Sequence, residues 1–306
     1  MAHKKTKNII ISVLLILTFC VFSGCEYLDS LLGDLFEEDI NLEGQFAVHF
    51  IDVGQGDSIL IQTSDNEFML IDTGEGDQYI KLTDYLEHFG VDKFKYVIFT
   101  HPHSDHMGSS DKIVKEYDIE TLIMPDAYND TQVFKRLVAA IENKNIEITP
   151  PVPGDIYKLG NAEFMILAPI NDEFDNLNNA SVVIEMNYGK HNFLFTGDME
   201  KAVETDVIDY CNKNGIELSI DVLKVAHHGS NSSSQQKFLD FIKPSVAVIQ
   251  CGKGNSYNHP HLQTVDRLEK IGATILRTDL EGDIIIISDG KNLSVKKGGG
   301  AIEDLK

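Results

Sequence analysis

Three histidines and an aspartate fall within six positions in Thr100-His101-Pro102-His103-Ser104-Asp105-His106. Neutral imidazole and carboxylate are ligands for zinc and similar divalent ions. The β-rich run Lys95-Tyr96-Val97-Ile98-Phe99 comes just before, so the cluster sits at the mouth of a strand, in the turn before a helix. In an extended stretch His101, His103 and Asp105 share one face. His106, entering the helix, turns toward a second point, so one short loop can feed two metal ions. A chance surface cluster is the alternative, and spacing this tight directly after a strand argues against it.

Other stretches carry matching residue types. Phe195-Thr196-Gly197-Asp198 puts an aspartate at the end of a strand. Alone, Asp198 reads as a turn residue capping the next helix. Beside the histidine cluster it reads as a ligand, since a carboxylate can bridge two ions about 3.5–4 Å apart. Leu223-Lys224-Val225-Ala226-His227-His228-Gly229-Ser230 ends a further strand in paired histidines, a tight turn and a hydroxyl. In Asn255-Ser256-Tyr257-Asn258-His259-Pro260-His261, His259 is either a helix-start residue or a pocket residue. Gly54-Gln55-Gly56-Asp57 is weak as a phosphate loop, because no Lys or helix start follows it.

His-x-His-x-Asp-His resembles the signature of the metallo-β-lactamase superfamily, and the resemblance runs from about Gln45 to Asp289. It implies an α/β (α+β) fold, the four-layer αββα sandwich, and a hydrolase with two divalent metal ions, zinc or manganese. Carried onto this sequence, His101, His103 and Asp198 hold one ion. Asp105, His106, Asp198 and His227 hold the other, Asp105 counting also as catalytic. Asp72, in Phe68-Met69-Leu70-Ile71-Asp72-Thr73-Gly74, resembles a motif residue that orients the metal loop by hydrogen bonds without ligating. His228 is expected next to the ions, in a catalytic or substrate-facing role, and Ser230 is expected to face substrate.

Asp-Val-Gly-Gln-Gly-Asp, His-His-Gly-Ser and Asn-x-Tyr-x-His-Pro resemble the ComEC-type branch, which includes the C-terminal domain of the competence protein ComEC and stand-alone bacterial relatives. Asn258 stands where that branch has glycine, and Asn tolerates left-handed backbone. This likeness makes Asn255 a substrate-binding candidate and His259 a catalytic one, donating to a phosphoryl oxygen or leaving group. The superfamily's third motif often holds a lone histidine. Asn178-Asn179-Ala180-Ser181 has none, so Asn179, Ser181 or water is expected to complete one site, with Asn179 also a substrate-binding candidate. The implied nucleophile is a bridging water acidified by both ions, and phosphodiester cleavage is the leading reaction, on a small ester or a nucleic acid. Cleavage of a lactam, thioester or lactone is the enzymatic alternative. A surface ligand-binding lipoprotein is the alternative of another class, disfavoured by metal motifs that are nearly whole. No obligate protein partner is inferred.

The 306-residue chain is 42% hydrophobic with a formal net charge of −22. Its many apolar runs exclude a disordered acidic protein, and its length suits one large domain or two small ones. The acidity argues against an extended basic surface for duplex DNA. A small phosphate ester stays open, because bound metal supplies local positive charge. Lys224 and Lys253 are the only basic residues in the pocket motifs.

Residues 1–24 read as a lipoprotein-type signal peptide. Lys4, Lys5 and Lys7 precede an apolar run from Ile9 to Phe22, too short for a comfortable span. Phe22-Ser23-Gly24-Cys25 then resembles a bacterial lipobox, with Cys25 as the lipidated residue and Phe22 in place of the usual aliphatic one. An uncleaved N-terminal anchor is the alternative. Either reading puts the domain outside the cytoplasm, anchored to the membrane, or secreted if the anchor is absent. Cleavage removes three lysines and no acid, which moves the net charge from −22 to −25. Residues 25–44 are acidic and read as a tether, 45–290 as the hydrolase domain, and 291–306 as a flexible tail. No long apolar run follows Phe22, so the membrane channel of full ComEC is not encoded here. Cys211 and Cys251 read as buried free thiols.

Periodicity predicts a strand meander over 45–72, then helices near 79–89, 109–117, 131–144, 200–214, 234–242 and 262–271. Strands are expected at 95–100 and 121–124, as hairpins over 155–167 and 181–195, and at 220–225, 246–250, 274–277 and 283–287.

Overall fold

A computed structural model of the chain describes residues 40, 42 and 44–305. The stretch read as a signal peptide, Cys25 and most of the stretch read as an acidic tether lie outside the described residues. Among the described residues, no helix is long and apolar enough to cross a membrane.

Two sheets make up the body. The first has nine strands in the order β16-β15-β14-β1-β2-β3-β4-β5-β6, and the second seven, in the order β13-β12-β11-β10-β9-β8-β7. In the first, β1 is Phe46–Phe50, β2 Ile59–Gln62, β3 Phe68–Ile71, β4 Lys93–Ile98, β5 Asp118–Ile123, β6 Ile148–Thr149, β14 Ile284–Ser288, β15 Leu293–Lys297 and β16 Glu303–Asp304. In the second, β7 is Ile156–Leu159, β8 Ala162–Ala168, β9 Val183–Tyr188, β10 His191–Phe195, β11 Val222–Lys224, β12 Val246–Ile249 and β13 Thr274–Arg277.

Alternation along each strand explains how the layers stack. Phe46, Val48 and Phe50 of β1 point to the second sheet and meet Phe164, Ile184, Phe193 and Phe195 in one apolar core. The opposite face of the first sheet, with Leu60, Leu70 and Val97, is covered by helices. These are α1 (Tyr79–His88), α3 (Ser110–Glu116) and α4 (Gln132–Lys144). The outer face of the second sheet, with Val183, Leu194 and Leu223, is covered likewise by α5 (Lys201–Asn214), α6 (Gln236–Ile242) and α7 (Leu262–Lys270). The result is the expected four-layer αββα sandwich. Two short helices, α2 (Ser104–Met107) and α8 (Thr278–Glu281), complete it.

The C-terminal stretch differs from the expectation. Residues 291–305 are not a loose tail, because β15 pairs in full register with β14 and buries Val295 between the sheets. A mixed pattern of small and charged residues hides a strand whose support comes from its neighbour. Cys211 and Cys251 are buried free thiols, as expected.

β3, β4, β10 and β11 all end at one edge of the sandwich, and the loops leaving them carry the candidate residues. Polar groups collect where the strands stop, because there the backbone no longer pairs within a sheet.

Candidate metal centre

The loop after β4 carries the histidine cluster. Asp72, at the end of β3, accepts from Thr100 N at 2.8 Å and from Thr100 Oγ1 at 2.5 Å. His106 Nδ1 donates to Asp72 Oδ2 at 2.7 Å. Asp72 therefore holds both the loop and the tautomer of His106, and it leaves the lone pair of His106 on Nε2. His228 is set the same way. Its Nδ1 donates to the Gln250 carbonyl at 3.0 Å, and its Nε2 lies 3.3 Å from Asp105 Oδ2 and 3.4 Å from Asp198 Oδ2.

Asp105, His106, Asp198 and His228 bring one ligand atom each within 4.8 Å of one another. His106 Nε2 and His228 Nε2 are buried without a hydrogen-bond partner, as is Asp198 Oδ1. Such groups are costly to bury unless something binds them, and these lone pairs and oxygens are the donor set of a divalent metal. Electrostatics agrees. Burial lowers the proton affinity of His106 and His228, yet Asp198 and the other carboxylates around them raise both well above the ordinary imidazole value. The cluster attracts positive charge, whether as protons or as a metal ion.

His101 and His103 form a second group. His101 Nε2 is 3.0 Å from His103 Nδ1 and 4.0 Å from Asp198 Oδ2. Burial first, and then the neighbouring His106, hold the His101 proton affinity well below ordinary, so this ring is neutral and fit to ligate. Asp198 faces both groups, through Oδ1 to His106 at 3.3 Å and through Oδ2 to His101 and His228.

The structure corrects several expectations. His228 takes the place given to His227 in the group with Asp105 and His106. His227 and His228 both have left-handed backbone, with φ of 51° and 53°, so strand alternation no longer tells which ring points inward. His227 Nε2 lies 3.8 Å from Asp198 Oδ2, outside the four-residue group. Ser230 does not face the cleft. Its hydroxyl meets Ser232 Oγ at 3.0 Å and its carbonyl accepts from Thr264, so it braces the turn.

The amide of Asn255 is used within its own loop, donating to Gly252 O and His259 O and accepting from Tyr257 N and His259 N. It shapes the loop and leaves no group for substrate. Asn179 Oδ1 accepts from Glu200 N at 3.2 Å, and its neighbour Asn178 lines the cleft instead. Ser181 Oγ accepts from Asp198 N at 3.0 Å and lies 3.4 Å from His101 Nδ1, so it positions ligands. Asn258 does take the left-handed conformation, with φ of 60°.

Sequence reasoning missed the part played by Asp57 and by Lys224. Both are buried, with the Lys224 ammonium paired to Asp57 and 3.8 Å from Asp198 Oδ1. Asp57 Oδ1 also sits 3.3 Å from His228 Nδ1. The available signal was an aspartate directly after a Gly-x-Gly turn at the end of a strand.

A cleft of about 330 Å³ opens above the cluster, bordered by Gln55, His103, Asn178, His227, Tyr257 and His259. Its lining includes Asp105 and Asp198 and no Lys or Arg. Burial beside His228 and His227 lowers His259 to about 4, so it is neutral near pH 7. Tyr257 is exposed and stacks on His259, with ring centroids 5.6 Å apart at 21°. A larger cleft of about 750 Å³, near Asp289 and Lys291, contains none of the candidate ligands.

Comparison with known proteins assigns the class. The chain belongs to the metallo-β-lactamase superfamily, matched over residues 51–253, and has that superfamily's hydrolase fold with clustered His and Asp able to bind metal. It is 29% identical over 260 residues to ComE operon protein 3 of Bacillus subtilis (strain 168), covering 79% of this chain and 33% of that protein. It is also 29% identical over 241 residues to competence protein ComA of Neisseria gonorrhoeae, covering 78% of this chain and 32% of that protein. The chain thus spans about a third of the length of these relatives, which accords with a ComEC-type branch. Among solved structures, the metallo-β-lactamase fold protein YhfI from Bacillus subtilis superimposes with a TM-score of 0.51 at 11% identity, covering 80% of this chain and 100% of that one.

Proposed function

We propose that this chain is a two-metal phosphodiesterase acting on small phosphodiesters or short single strands, held outside the cytoplasm by a lipid on Cys25. The observation that carries the reading is the set of buried, unpartnered atoms, His106 Nε2, His228 Nε2 and Asp198 Oδ1, gathered with Asp105 at the floor of an open cleft. When bound, two divalent ions supply Lewis acidity at the phosphoryl group and a water able to attack at neutral pH.

The residues of the chain do the rest. Asp72 and the Gln250 carbonyl hold the two imidazoles in the ligating tautomer. Asp198 spans both groups. His259 meets substrate as a neutral ring that can donate a hydrogen bond to a phosphoryl oxygen, and Tyr257 offers a flat face beside it. The resemblance to the ComEC-type branch favours phosphodiester chemistry over lactam or thioester cleavage.

The test is hydrolysis of a bis-nitrophenyl phosphate by protein stripped of metal and then reloaded with zinc or manganese. Activity should vanish and return. Asp198→Ala should lose metal and activity while the fold persists. Turnover that survives full metal removal overturns the reading, as does a lactam or thioester cleaved faster than any phosphodiester.

A further inference from the structure

We propose that His227 supplies the ligand missing from the third motif, so that the adjacent histidines His227 and His228 serve different ions. This rests on the two-ion reading. His101, His103 and Asp198 offer the first ion three protein ligands, and the turn at Leu177–Ala180 with the following Ser181 brings no histidine as a fourth.

Three observations point to His227. Its Nε2 faces Asp198 Oδ2 at 3.8 Å, an oxygen that His101 Nε2 approaches at 4.0 Å and His228 Nε2 at 3.4 Å, so the carboxylate stands between the two rings. Its other nitrogen is already engaged, with Nδ1 3.2 Å from Ser232 Oγ and 3.4 Å from Glu200 Oε1. A carboxylate or hydroxyl at Nδ1 leaves the lone pair on Nε2, the usual outer partner of a metal-bound histidine. Finally, the group of Asp105, His106, Asp198 and His228 is complete without it.

The third-motif turn keeps a part in this arrangement. Asn178 Nδ2 donates to Glu200 Oε1 at 3.2 Å and lies 3.5 Å from His227 Nδ1. The asparagine therefore stands behind the histidine that does the ligating. The backbone makes the split possible. Two successive residues in left-handed conformation, tied back by His227 N donating to Gly197 O at 3.1 Å, aim neighbouring rings at planes 73° apart. Non-glycine residues hold such a conformation only where the surroundings enforce it.

The experiment counts metal ions per folded chain by elemental analysis, with cobalt spectra as a second readout. Asn tolerates left-handed backbone, so H227N is the variant of choice, checked for folding by circular dichroism. Wild type should hold two ions, H227N one, and H227N/H103A still one, because both changes empty the same site. H227N/H228N should hold none. Glu200→Gln should weaken the first ion by about 10- to 100-fold and leave the second unchanged. Two ions in H227N, or none in H227N/H103A, overturns the assignment and leaves the two-ion reading standing. A wild type that loads a single ion overturns both. If H227N does not fold, the Glu200→Gln titration decides, and an unchanged first-ion affinity overturns the proposal.

Discussion

Gly56 lies under the carbonyl of Asp105 so closely that a Cβ on it would stand 2.1 Å from that oxygen. The next residue completes the contact, with Asp57 N donating to Asp105 O at 3.1 Å and Asp57 O accepting from Gly74 N at 2.8 Å. The turn after β1 is thus a wedge that sets the height of the metal loop and carries the Asp57 carboxylate into the interior. A Gly-x-Gly turn that fails as a phosphate loop has a mechanical use.

Gly56→Ala should therefore disturb ligands more than its size suggests. The change demands both a displaced backbone and an alanine at φ +133°. We expect a loss of about 2 kcal/mol or more in stability, together with weaker metal binding. Gly54 in the same turn has φ +69° and nothing within 4 Å of its missing Cβ, so Gly54→Ala should cost only about 1 kcal/mol. Urea unfolding and ion affinity of both variants decide the matter. Equal effects would show that Gly56 is not the wedge.

The buried pair of Lys224 and Asp57 leads to a second expectation. Breaking a buried pair by removing one partner strands a charge and costs about 3–5 kcal/mol. Lys224→Met should pay that in full, since Asp57 and Asp198 would then face each other with one cation fewer. Lys224→Met/Asp57→Asn should recover much of the loss, because replacing both partners of a buried pair is often near neutral. A double-mutant cycle on metal-free protein measures the coupling. Additive losses would mean that the two side chains do not act as a pair.

These residues mark the limit of what the sequence discloses. The layers were legible because strands such as Phe46–Phe50 alternate cleanly and helices end at glycines such as Gly215, which takes φ 67°. His101, His103, Asp105 and His106 were legible as candidate ligands because such residues close in sequence at a strand mouth form a local signal, whereas Asp198 was legible only beside that cluster. Asp57, Lys224, Glu200 and Asn178 meet the site only through tertiary packing, from the ends of separate elements, and no local pattern announces them. The choice between His227 and His228 depended on two left-handed residues that no strand or helix period describes. β15 escaped notice because its pairing partner, β14, carries most of the apolar signal.

Glu204 offers a test of burial on stability. Its carboxylate, at the start of α5, accepts from Gln235 N at 3.1 and 3.2 Å, and burial raises it to about 7. The folded state then holds a proton that the unfolded chain releases near pH 4.5. Stability from this group is present below that value and is lost as pH rises toward 7. Glu204→Gln should remove that slope. Relative to wild type, the variant should gain about 3 kcal/mol, to order of magnitude, between pH 5 and pH 8. Urea unfolding at both values, with chelator present, measures it. A difference independent of pH would show that Glu204 is ionised in the fold throughout.

The cleft lining holds Asp105 and Asp198 and no Lys or Arg. Lys224 is spent on Asp57 inside the protein, and Lys253 is exposed without bordering the cleft. A polymer binds through several phosphate contacts to basic side chains, and its affinity then falls steeply with salt. A chain with net charge −22 and no basic track at its cleft should draw its phosphate affinity from the ions and the neutral His259, not from charged side chains. Small aryl phosphodiesters should be cleaved fastest, single-stranded DNA slowly, and duplex DNA more slowly still, with little salt dependence for the small ester. Tyr257→Ala should raise KM for substrates that carry a base or an aromatic ring and spare an alkyl phosphodiester, because base–aromatic stacking is worth about 1–3 kcal/mol. His259→Ala should lower turnover and leave the metal content unchanged. Side-by-side rates at low and moderate salt test all of this. Efficient cleavage of duplex with a steep salt slope would reveal a basic path outside the cleft, and a nuclease reading would then replace the small-ester one.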